Sequence, residues 1–354
     1  MKLIHTSDIH LDSPLTSRLS PSKARERKRE LTASFRRMTD EAASIGAGGV
    51  IIAGDLFDNE RVSIRTLDSV MGIIENAVGI TFFYLPGNHE KDRLTSSGVS
   101  IPENLIIFGE EWSSYRFGDV TVSGCSSIKA DTFSSLRLNE NEINIAVLHG
   151  ELADRTDAPD KIGMRELKDL PIDYLALGHY HTYSETRFSE RGRAVYCGTP
   201  EGRGFDETGD KGYVIIDTDF HSVRSRFVKR AFRTLHSVDV DICGADREIE
   251  IENRIAHAVS QIPHSDLVRV TLVGEYAPGT KRETEALTGR FSDSFFYFEV
   301  KDASRLRISS EDYKNDRSLK GEFIRLVLSK EELTDEEKAA IIECGIRALA
   351  GDTI

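Results

Sequence analysis

The chain has 354 residues, of which 39% are hydrophobic and 30% charged, a length and composition that predict roughly two domains with their own cores. The net charge of −13 argues against nucleic-acid binding by the whole surface, because contacts from Lys and Arg to phosphates dominate such binding. The apolar stretch after Met1 is too short for a signal peptide, and no later stretch suits a membrane span. We therefore expect a cytoplasmic protein without a membrane partner.

Hydrophobic patterns in the first part of the chain predict two consecutive β-α-β units. Strands and helices alternate over residues 2–7, 22–46, 49–53, 64–77 and 80–85. In the first helix, Leu31, Phe35 and Met38 form an apolar stripe with helical spacing. Because ligands of α/β sheets gather at the carboxyl ends of the strands, we expect the loops that follow these strands to carry the site.

Later patterns complete this domain and add a second one. Further strands are predicted at residues 120–124, 143–148, 174–178, 213–217 and 223–228. Together they indicate one α/β domain over residues 1–233, with two sheets and helices outside. A smaller α/β domain is predicted over residues 238–308. Residues 316–354 are expected to form C-terminal helices, with Thr334 and Glu337 as a capping box.

Five short motifs lie at or just after predicted strand ends. They are Asp8-Ile9-His10, Gly54-Asp55-Leu56-Phe57-Asp58, Gly87-Asn88-His89-Glu90, His149-Gly150 and Gly178-His179-Tyr180-His181. They offer seven oxygen or nitrogen ligands: Asp8, His10, Asp55, Asn88, His149, His179 and His181. Seven ligands suffice for two divalent ions about 3.5–4 Å apart, an arrangement that holds a phosphate and activates water. The motifs therefore predict hydrolysis of phosphate esters.

The kinds of ligand narrow the choice of metal. Carboxylate, imidazole and amide groups without thiolates favour manganese, iron or zinc over copper(I) or an iron–sulfur cluster, with magnesium as a further alternative. Manganese is the first choice, and Asp55 is placed to bridge both ions. Taken singly, each motif also has a structural interpretation, since a Gly-Asp pair is often only a turn and His149 alone suits packing. The ordered conjunction of all five favours the metal site.

In these motifs the chain resembles the calcineurin-like metallophosphoesterases, whose pattern is Asp-x-His, Gly-Asp-x-x-Asp, Gly-Asn-His-Asp/Glu, His and Gly-His-x-His. Three segments are similar to the branch of DNA double-strand-break repair nucleases that includes SbcD and YhaO. They are Ile4-His5-Thr6-Ser7-Asp8-Ile9-His10-Leu11-Asp12, Ala53-Gly54-Asp55-Leu56-Phe57-Asp58 and Gly198-Thr199-Pro200-Glu201. The resemblance is specific over residues 1–233. It implies a four-layer α-β-β-α sandwich and suits a DNA-capping role for the smaller domain.

Carried over by position, the resemblance implies two ligand sets. One ion would be held by Asp8, His10, Asp55 and His181, and the other by Asp55, Asn88, His149 and His179. His89 would orient the scissile phosphate and protonate the leaving oxygen, a role that suits the pKa range of histidine. At Asp58 many archaeal and eukaryotic members carry a histidine, whereas bacterial relatives share the aspartate. The balance between exonuclease and endonuclease action therefore stays open.

Three basic residues are candidates for contacts to DNA phosphates. They are Arg18, Lys23 and Arg203. The first two belong to a basic stretch over residues 18–37, which equally suits the solvated face of a helix. Arg203 lies in a glycine-rich loop, where it contacts a phosphate or pairs with Asp206 or Glu207.

The leading prediction is a manganese-dependent DNA nuclease that forms a homodimer and works in DNA repair. By resemblance, its partner would be an SMC-like coiled-coil ATPase of the SbcC or YhaN kind, docked on the C-terminal helices. One alternative is a phosphomonoesterase or a cyclic-nucleotide phosphodiesterase, since fold and metals do not choose the substrate. Another is a metal-free scaffold, whose signature would be the loss of ligands; none of the seven is missing from the sequence.

Overall fold

The structure is a computed structural model in which the chain forms two compact units. Unit 1 comprises Met1–Thr234 and unit 2 comprises Leu235–Ile354. The structure describes residues 1–15, 19–58, 62–87, 90, 94, 98–129, 131–155, 158, 160–219, 222–277, 279–307 and 313–350. Within these ranges, every helix lacks the length or the apolar character that crossing a bilayer requires.

Unit 1 alternates strands and helices along the chain. Its strands are β1 (Lys2–Thr6), β2 (Gly49–Ala53), β3 (Thr81–Leu85), β4 (Leu105–Ile107), β5 (Ser113–Phe117), β6 (Val120–Gly124), β7 (Ile143–His149), β8 (Glu151–Ala153), β9 (Lys161–Gly163), β10 (Tyr174–Gly178), β11 (Ser184–Arg187), β12 (Arg193–Tyr196), β13 (Gly212–Asp219) and β14 (Ser222–Lys229). Its helices are α1 (Pro21–Ser44), α2 (Ile64–Asn76) and the short α3 (Met164–Leu167).

These strands form two large sheets. The first has the order β14-β13-β1-β2-β3-β4, and β1 to β4 run parallel in it. The second has the order β11-β12-β10-β7-β6-β5, with parallel inner strands and antiparallel edge strands β5 and β11. The two predicted β-α-β units are confirmed, because β1, β2 and β3 are neighbours connected through α1 and α2.

Alternating side chains give each sheet two apolar faces. In β2, Val50 joins a cluster with residues of α1 and α2, whereas Ile51 joins the cluster between the two sheets. In β7, Val147 packs between the sheets, and Leu148 packs on the opposite face with Leu167 of α3. The predicted α-β-β-α layering is confirmed, with α1 and α2 on the first sheet and α3 on the second.

Helix α1 illustrates how the sequence sets these elements. Ser20 caps its N-terminus by accepting a backbone hydrogen bond from the first turn. Pro21 follows at a position where a helix needs no N–H donor. The predicted stripe of Leu31, Phe35 and Met38 is buried, with each side chain 1% exposed. The stripe therefore fixes α1 against the first sheet.

Unit 2 is a smaller α/β assembly. Its elements are β15 (Leu235–Asp241), α4 (Glu248–Val259), β16 (Leu267–Val273), β17 (Glu275–Tyr276), α5 (Thr284–Phe291), β18 (Tyr297–Asp302), β19 (Arg305–Leu306), α6 (Leu319–Leu328) and α7 (Asp335–Ala350). Strands β15, β16 and β18 form a parallel sheet. The predicted capping box is confirmed at α7, where Glu337 N donates to Thr334 Oγ1 (3.2 Å) and Thr334 N donates to Glu337 Oε2 (2.8 Å).

Candidate metal centre

Four strands of unit 1 deliver the described motif residues to one place. Asp8 and His10 follow β1, and Asp55 follows β2, its parallel neighbour in the first sheet. In the second sheet, His149 ends β7, and His179 follows the parallel neighbour β10. The carboxyl ends of parallel strands are therefore where both sheets present these side chains.

Two overlapping groups of side chains meet there. The ligand atoms of Asp8, His10 and His181 lie within 4.8 Å of one another, and so do those of Asp8, Asp55 and His149. His10 Nε2 lies 3.4 Å from His181 Nε2, which in turn lies 3.6 Å from Asp8 Oδ1. The structure thus brings together five of the seven predicted ligands, with Asp8 common to both groups.

Asp55 lies between two histidines of these groups. Its Oδ2 is 3.6 Å from His149 Nε2 and 3.8 Å from His10 Nε2. Burial raises the pKa of the Asp55 carboxyl; the charge of His149 opposes this rise and the carboxylate of Asp8 adds to it. A carboxylate in this position suits the bridging role predicted for it.

His179 approaches the same groups through its backbone and its ring. Its N–H donates to both carboxylate oxygens of Asp8 at 3.1 Å. Its ring lies edge-on to that of His149, with 5.6 Å between centroids. His179 is therefore adjacent to the second group, and its place in the second ligand set stays a prediction.

The backbone at these positions is unusual. Positive φ angles occur at Asp8 (50°), His10 (48°), Asp55 (47°) and His179 (107°). A non-glycine residue with positive φ is uncommon and costs conformational energy, and such residues cluster at functional sites. The backbone strain at these four residues indicates that their positions serve function and not stability.

Three motif glycines allow the loops to approach closely. A Cβ at Gly54 would lie 2.0 Å from His149 Nδ1, and one at Gly87 would lie 2.1 Å from Asp55 Oδ1. At Gly178 the clash would be with Ala53 O, at 1.9 Å. Any larger residue would displace a candidate ligand or its strand. The glycines of the motifs are thus explained by the packing of the site.

Hydrogen bonds orient two of the imidazoles. His149 Nδ1 lies 2.9 Å from Ala53 O, and His181 Nδ1 lies 2.7 Å from Glu207 Oε1. A proton on each Nδ1 satisfies these acceptors and leaves Nε2 with a free lone pair. Burial, together with the charge of Arg203, lowers the pKa of His10 to about 3. At neutral pH the ring of His10 is therefore uncharged and able to act as a ligand, whereas the hydrogen bond to Glu207 raises the pKa of His181.

The donor set fits divalent metal ions. Ligand atoms lie about 2.0–2.2 Å from Zn²⁺ or Mg²⁺, so neighbouring donors of one ion are roughly 3–3.5 Å apart. The separations of 3.4–3.8 Å between the facing atoms of His10, His181, Asp8, Asp55 and His149 are close to that spacing. Imidazole and carboxylate donors also match the hard and intermediate metals.

Three predicted site residues, Arg18, Asn88 and His89, lie outside the described residues. Lys23 lies half-buried in the first turn of α1. Arg203 reaches the centre, but its guanidinium contacts carboxylates: Nη1 donates to Asp58 Oδ1 (3.0 Å) and Nη2 donates to Glu207 Oε1 (2.7 Å).

Sequence reasoning gave no role to Glu90, the last residue of the third motif. Its carboxylate accepts hydrogen bonds from Gly87 N (3.0 Å), Tyr84 Oη (2.7 Å) and Phe57 N. Burial raises the pKa of Glu90 to about 7. Glu90 thereby ties the loop after β3 to the loop that carries Asp55. The sign of this role in the sequence was that Glu90 is the last residue of the third motif.

Sequence reasoning offered Glu207 only as an alternative partner of Arg203. Burial alone would raise the pKa of Glu207, but the hydrogen bond from His181 and the charge and hydrogen bonds of Arg203 lower it to about 2. Glu207 is thus an ionised acceptor for the outer nitrogen of His181. Nothing in the local sequence pattern marks this contact, which joins residues 26 positions apart.

The fold and the grouped carboxylates and imidazoles are those of a metal-dependent phosphoesterase. A family model described as Calcineurin-like phosphoesterase matches residues 1–183, just over half of the chain. The chain belongs to this family, whose members use a dimetal centre.

Curated relatives are similar over part of their length. The uncharacterized metallophosphoesterase YhaO of Bacillus subtilis (strain 168) is 29% identical over 237 residues, 61% of this chain and 57% of YhaO. The DNA double-strand break repair protein Mre11 of Methanosarcina mazei is 24% identical over 230 residues, 61% of this chain and 36% of that protein. For Mre11 of Methanopyrus kandleri the identity is 25% over 292 residues, 72% of this chain and 62% of that protein. The chain therefore spans less than two thirds of the length of these relatives.

Among solved structures, a dimetal phosphatase from Danio rerio aligns with 64% of this chain and 98% of its own. The sequence identity of that alignment is 11% and the TM-score is 0.41.

Proposed function

We propose that this chain is a DNA nuclease that hydrolyses phosphodiester bonds with two divalent ions, manganese first among them. The observation that carries the proposal is the meeting of Asp8, His10 and His181 with Asp55 and His149 at the strand ends. DNA is proposed as the substrate because several relatives carry the name DNA double-strand break repair protein. The site geometry supports phosphoester hydrolysis, and the choice of DNA as the substrate depends on the names of the relatives.

The proposed ligand sets keep the division that the resemblance to the calcineurin-like metallophosphoesterases implies. Asp8, His10, Asp55 and His181 would hold one ion, and Asp55, Asn88, His149 and His179 would hold the other. Two divalent ions, when bound, supply charge stabilisation for the phosphate and activation of a nucleophilic water. The chain contributes fixed donors: the Nδ1 contacts of His149 and His181 keep Nε2 of each ring directed at the centre.

His89 is proposed as the proton donor. It follows Asn88 directly, so a ligand and an acid would come from one loop after β3. As a group that titrates near neutral pH, a histidine can hold a proton for the leaving oxygen and orient the phosphate. The backbone of this loop is anchored by the hydrogen bond of Gly87 to Glu90.

The remaining parts of the chain are assigned to DNA and partner binding. We propose that residues 238–308 cap the DNA and that residues 316–354 dock an SMC-like coiled-coil ATPase, with the nuclease acting as a cytoplasmic homodimer. Large apolar side chains stand exposed on both terminal helices: Leu319 (70%), Leu326 (60%), Ile341 (39%) and Leu349 (48%). An exposed apolar surface of this kind suits a protein partner.

The test is cleavage of end-labelled duplex and hairpin DNA by the full chain, with Mn²⁺, with Mg²⁺ and with EDTA. We expect Mn²⁺-dependent fragments that are absent with EDTA and absent in His89→Gln. His89→Gln should still bind two Mn²⁺ per chain by calorimetry, because His89 is not proposed as a ligand. His236→Gln, on strand β15 of unit 2 and outside residues 238–308, is the matched control and should cleave like the wild type.

Three results would contradict this assignment. Intact DNA together with rapid hydrolysis of nitrophenyl phosphate would indicate a phosphomonoesterase. A chain that binds no Mn²⁺ would indicate a scaffold. Loss of one Mn²⁺ in His89→Gln would make His89 a ligand and not an acid.

A further inference from the structure

Arg203 lies between two carboxylates beside the metal centre. Its Nη1 donates to Asp58 Oδ1 at 3.0 Å, and its Nη2 donates to Glu207 Oε1 at 2.7 Å. The backbone N–H of Arg203 also donates to Glu207 Oε2, at 2.7 Å. All three side chains are largely buried, with exposed fractions of 17% for Arg203, 19% for Asp58 and 5% for Glu207. The two ends of the guanidinium are therefore already occupied by protein groups.

Each of these carboxylates faces the outer nitrogen of a candidate ligand. Glu207 Oε1 lies 2.7 Å from His181 Nδ1 and forms a hydrogen bond with it, whereas Asp58 Oδ1 lies 3.6 Å from His10 Nδ1, too far for a hydrogen bond. The inner nitrogens of the same two rings, both Nε2, approach each other to 3.4 Å. One arginine thus joins the carboxylates behind the two histidines assigned to the same ion.

We propose that Arg203 positions His181 for one metal ion through Glu207, that it holds the carboxylate of Asp58 beside His10, and that it does not contact the DNA phosphate. Carboxylates behind ligating histidines fix the orientation of the rings, and their loss typically weakens metal binding about 10- to 100-fold. The planar guanidinium suits this task because its rigid fork holds two acceptors at fixed positions. Arg203 is a positioning residue in this assignment.

A buried ion pair holds the loop that carries Arg203. Arg27 of α1, whose side chain is 2% exposed, lies 3.3 Å from the fully buried Glu201 and donates to Gly202 O at 2.9 Å. The residue directly before Arg203 is thereby fixed to α1. The loop consequently presents Arg203 at a defined position, as a positioning role requires.

The test measures Mn²⁺ binding by calorimetry for the wild type, Arg203→Gln and Arg203→Lys. The inference rests on the proposed metal centre, and its KM readout rests in addition on DNA as the proposed substrate. We expect two Mn²⁺ in the wild type and one site weakened at least tenfold in Arg203→Gln. Arg203→Lys should also weaken that site, because an ammonium group cannot hold both carboxylates in the same fork. At saturating Mn²⁺, the KM for DNA should stay within about twofold of the wild-type value. The reason is that the substitution weakens the binding of Mn²⁺ and not the binding of substrate.

The matched control is Arg193→Gln, which removes an arginine paired with Glu185 at 3.2 Å on the edge strands of the second sheet. It should bind both ions like the wild type. Circular dichroism in EDTA compares the folding of all variants before metal is added. Equal Mn²⁺ affinity in the wild type and both Arg203 variants would overturn the inference. An unchanged affinity with a raised KM would assign Arg203 to the phosphate, and a wild type without bound Mn²⁺ would overturn the metal centre as well.

Discussion

Both units place carboxylates at the carboxyl ends of parallel strands, yet the carboxylates have different surroundings. In unit 2, Asp241 ends β15 and accepts a hydrogen bond from Cys243 N at 2.8 Å. Asp302 ends β18, accepts one from Ser304 N at 2.9 Å and pairs with Arg282 at 2.7 Å. These carboxylates are satisfied by their own turns and by an arginine.

The carboxylates of unit 1 also face the side chains of histidines, although Asp8 accepts hydrogen bonds from His179 N as well. Asp55 lies 3.6 Å from His149, and Asp8 lies 3.6 Å from His181, distances too long for hydrogen bonds. Every described non-glycine residue with positive φ belongs to unit 1, and Asp8 and Asp55 are among them. An acidic residue at a strand end is therefore not by itself a metal site. Backbone strain and facing imidazoles distinguish the centre from an ordinary sheet edge.

The largest expected effect comes from exchanging one strand-end carboxylate in each unit. Asp55→Ala should lose bound Mn²⁺ and reduce phosphodiester cleavage on the order of 10³-fold, because charge stabilisation of the transition state is removed. Asp241→Ala should keep its bound Mn²⁺ and its phosphodiester cleavage, since the carboxylate of Asp241 closes a turn. Calorimetry and a bis-nitrophenyl phosphate assay measure the two properties. If Asp55→Ala and Asp241→Ala lost Mn²⁺ binding and cleavage equally, the carboxylates of the two units would not differ in function.

The ion pairs of the two units should differ in how much they contribute to stability. Arg27→Met should lower the free energy of unfolding of unit 1 by about 3–5 kcal/mol, because the buried Glu201 would lose its charged partner and keep only the backbone hydrogen bond from Phe232 N. Trp112, the chain's single tryptophan, lies in unit 1 and reports this transition during urea unfolding. In unit 2, Arg290→Met removes a half-exposed arginine that pairs with Glu248. Arg290→Met should leave the urea transition measured by circular dichroism unchanged. An unchanged Trp112 transition in Arg27→Met would contradict the loss of stability expected for that variant.

A buried histidine makes the stability of unit 1 depend on pH. Burial lowers the pKa of His5 to about 3, whereas in the unfolded chain it is near 6.5. Between these values the unfolded chain binds one more proton, so stability rises with pH by up to about 1.4 kcal/mol per pH unit from this group. His5→Phe should lose that part of the slope in urea unfolding with EDTA at pH 4, 5 and 6. Identical slopes would show that His5 titrates normally in the folded chain.

Metal should stabilise unit 1 selectively. At Mn²⁺ about 100-fold above its Kd, binding to the folded state contributes about 2.7 kcal/mol. For a unit of this size we expect a rise in the Tm reported by Trp112 of about 5–10 °C. EDTA should reverse the rise, and Asp55→Ala should not show it. An equal rise in Asp55→Ala would place the bound ion elsewhere.

The smallest effect concerns a helix of unit 2 that depends only on local signals. Thr334→Ala removes the cap of α7 and should destabilise this helix by about 1 kcal/mol. Hydrogen exchange of the α7 amides measures the change, and Mn²⁺ affinity should not alter. A loss of Mn²⁺ binding in this variant would contradict the separate roles given to the units.

Much of the fold could be predicted because apolar periodicity is a local property. The buried strands β2, β6 and β10 have the bounds that their sequences predict. Strand β11 was not predicted, since its four residues are all exposed and show no alternation. It forms because its backbone pairs with the edge of β12. Tertiary pairing therefore created an element for which the sequence has no pattern.

Which residue types follow which strands could be read from the sequence alone, because strand ends and glycine turns follow from local preferences. It also indicated a metal-dependent phosphoesterase, since Asp, Asn and His recur there in order. Only the tertiary structure decided that Asp8 belongs to both groups and that Nε2 of His149 and of His181 points inward. It also joined Arg203 to Asp58, 145 positions away. Such contacts depend on how two sheets pack face to face, which no local pattern encodes.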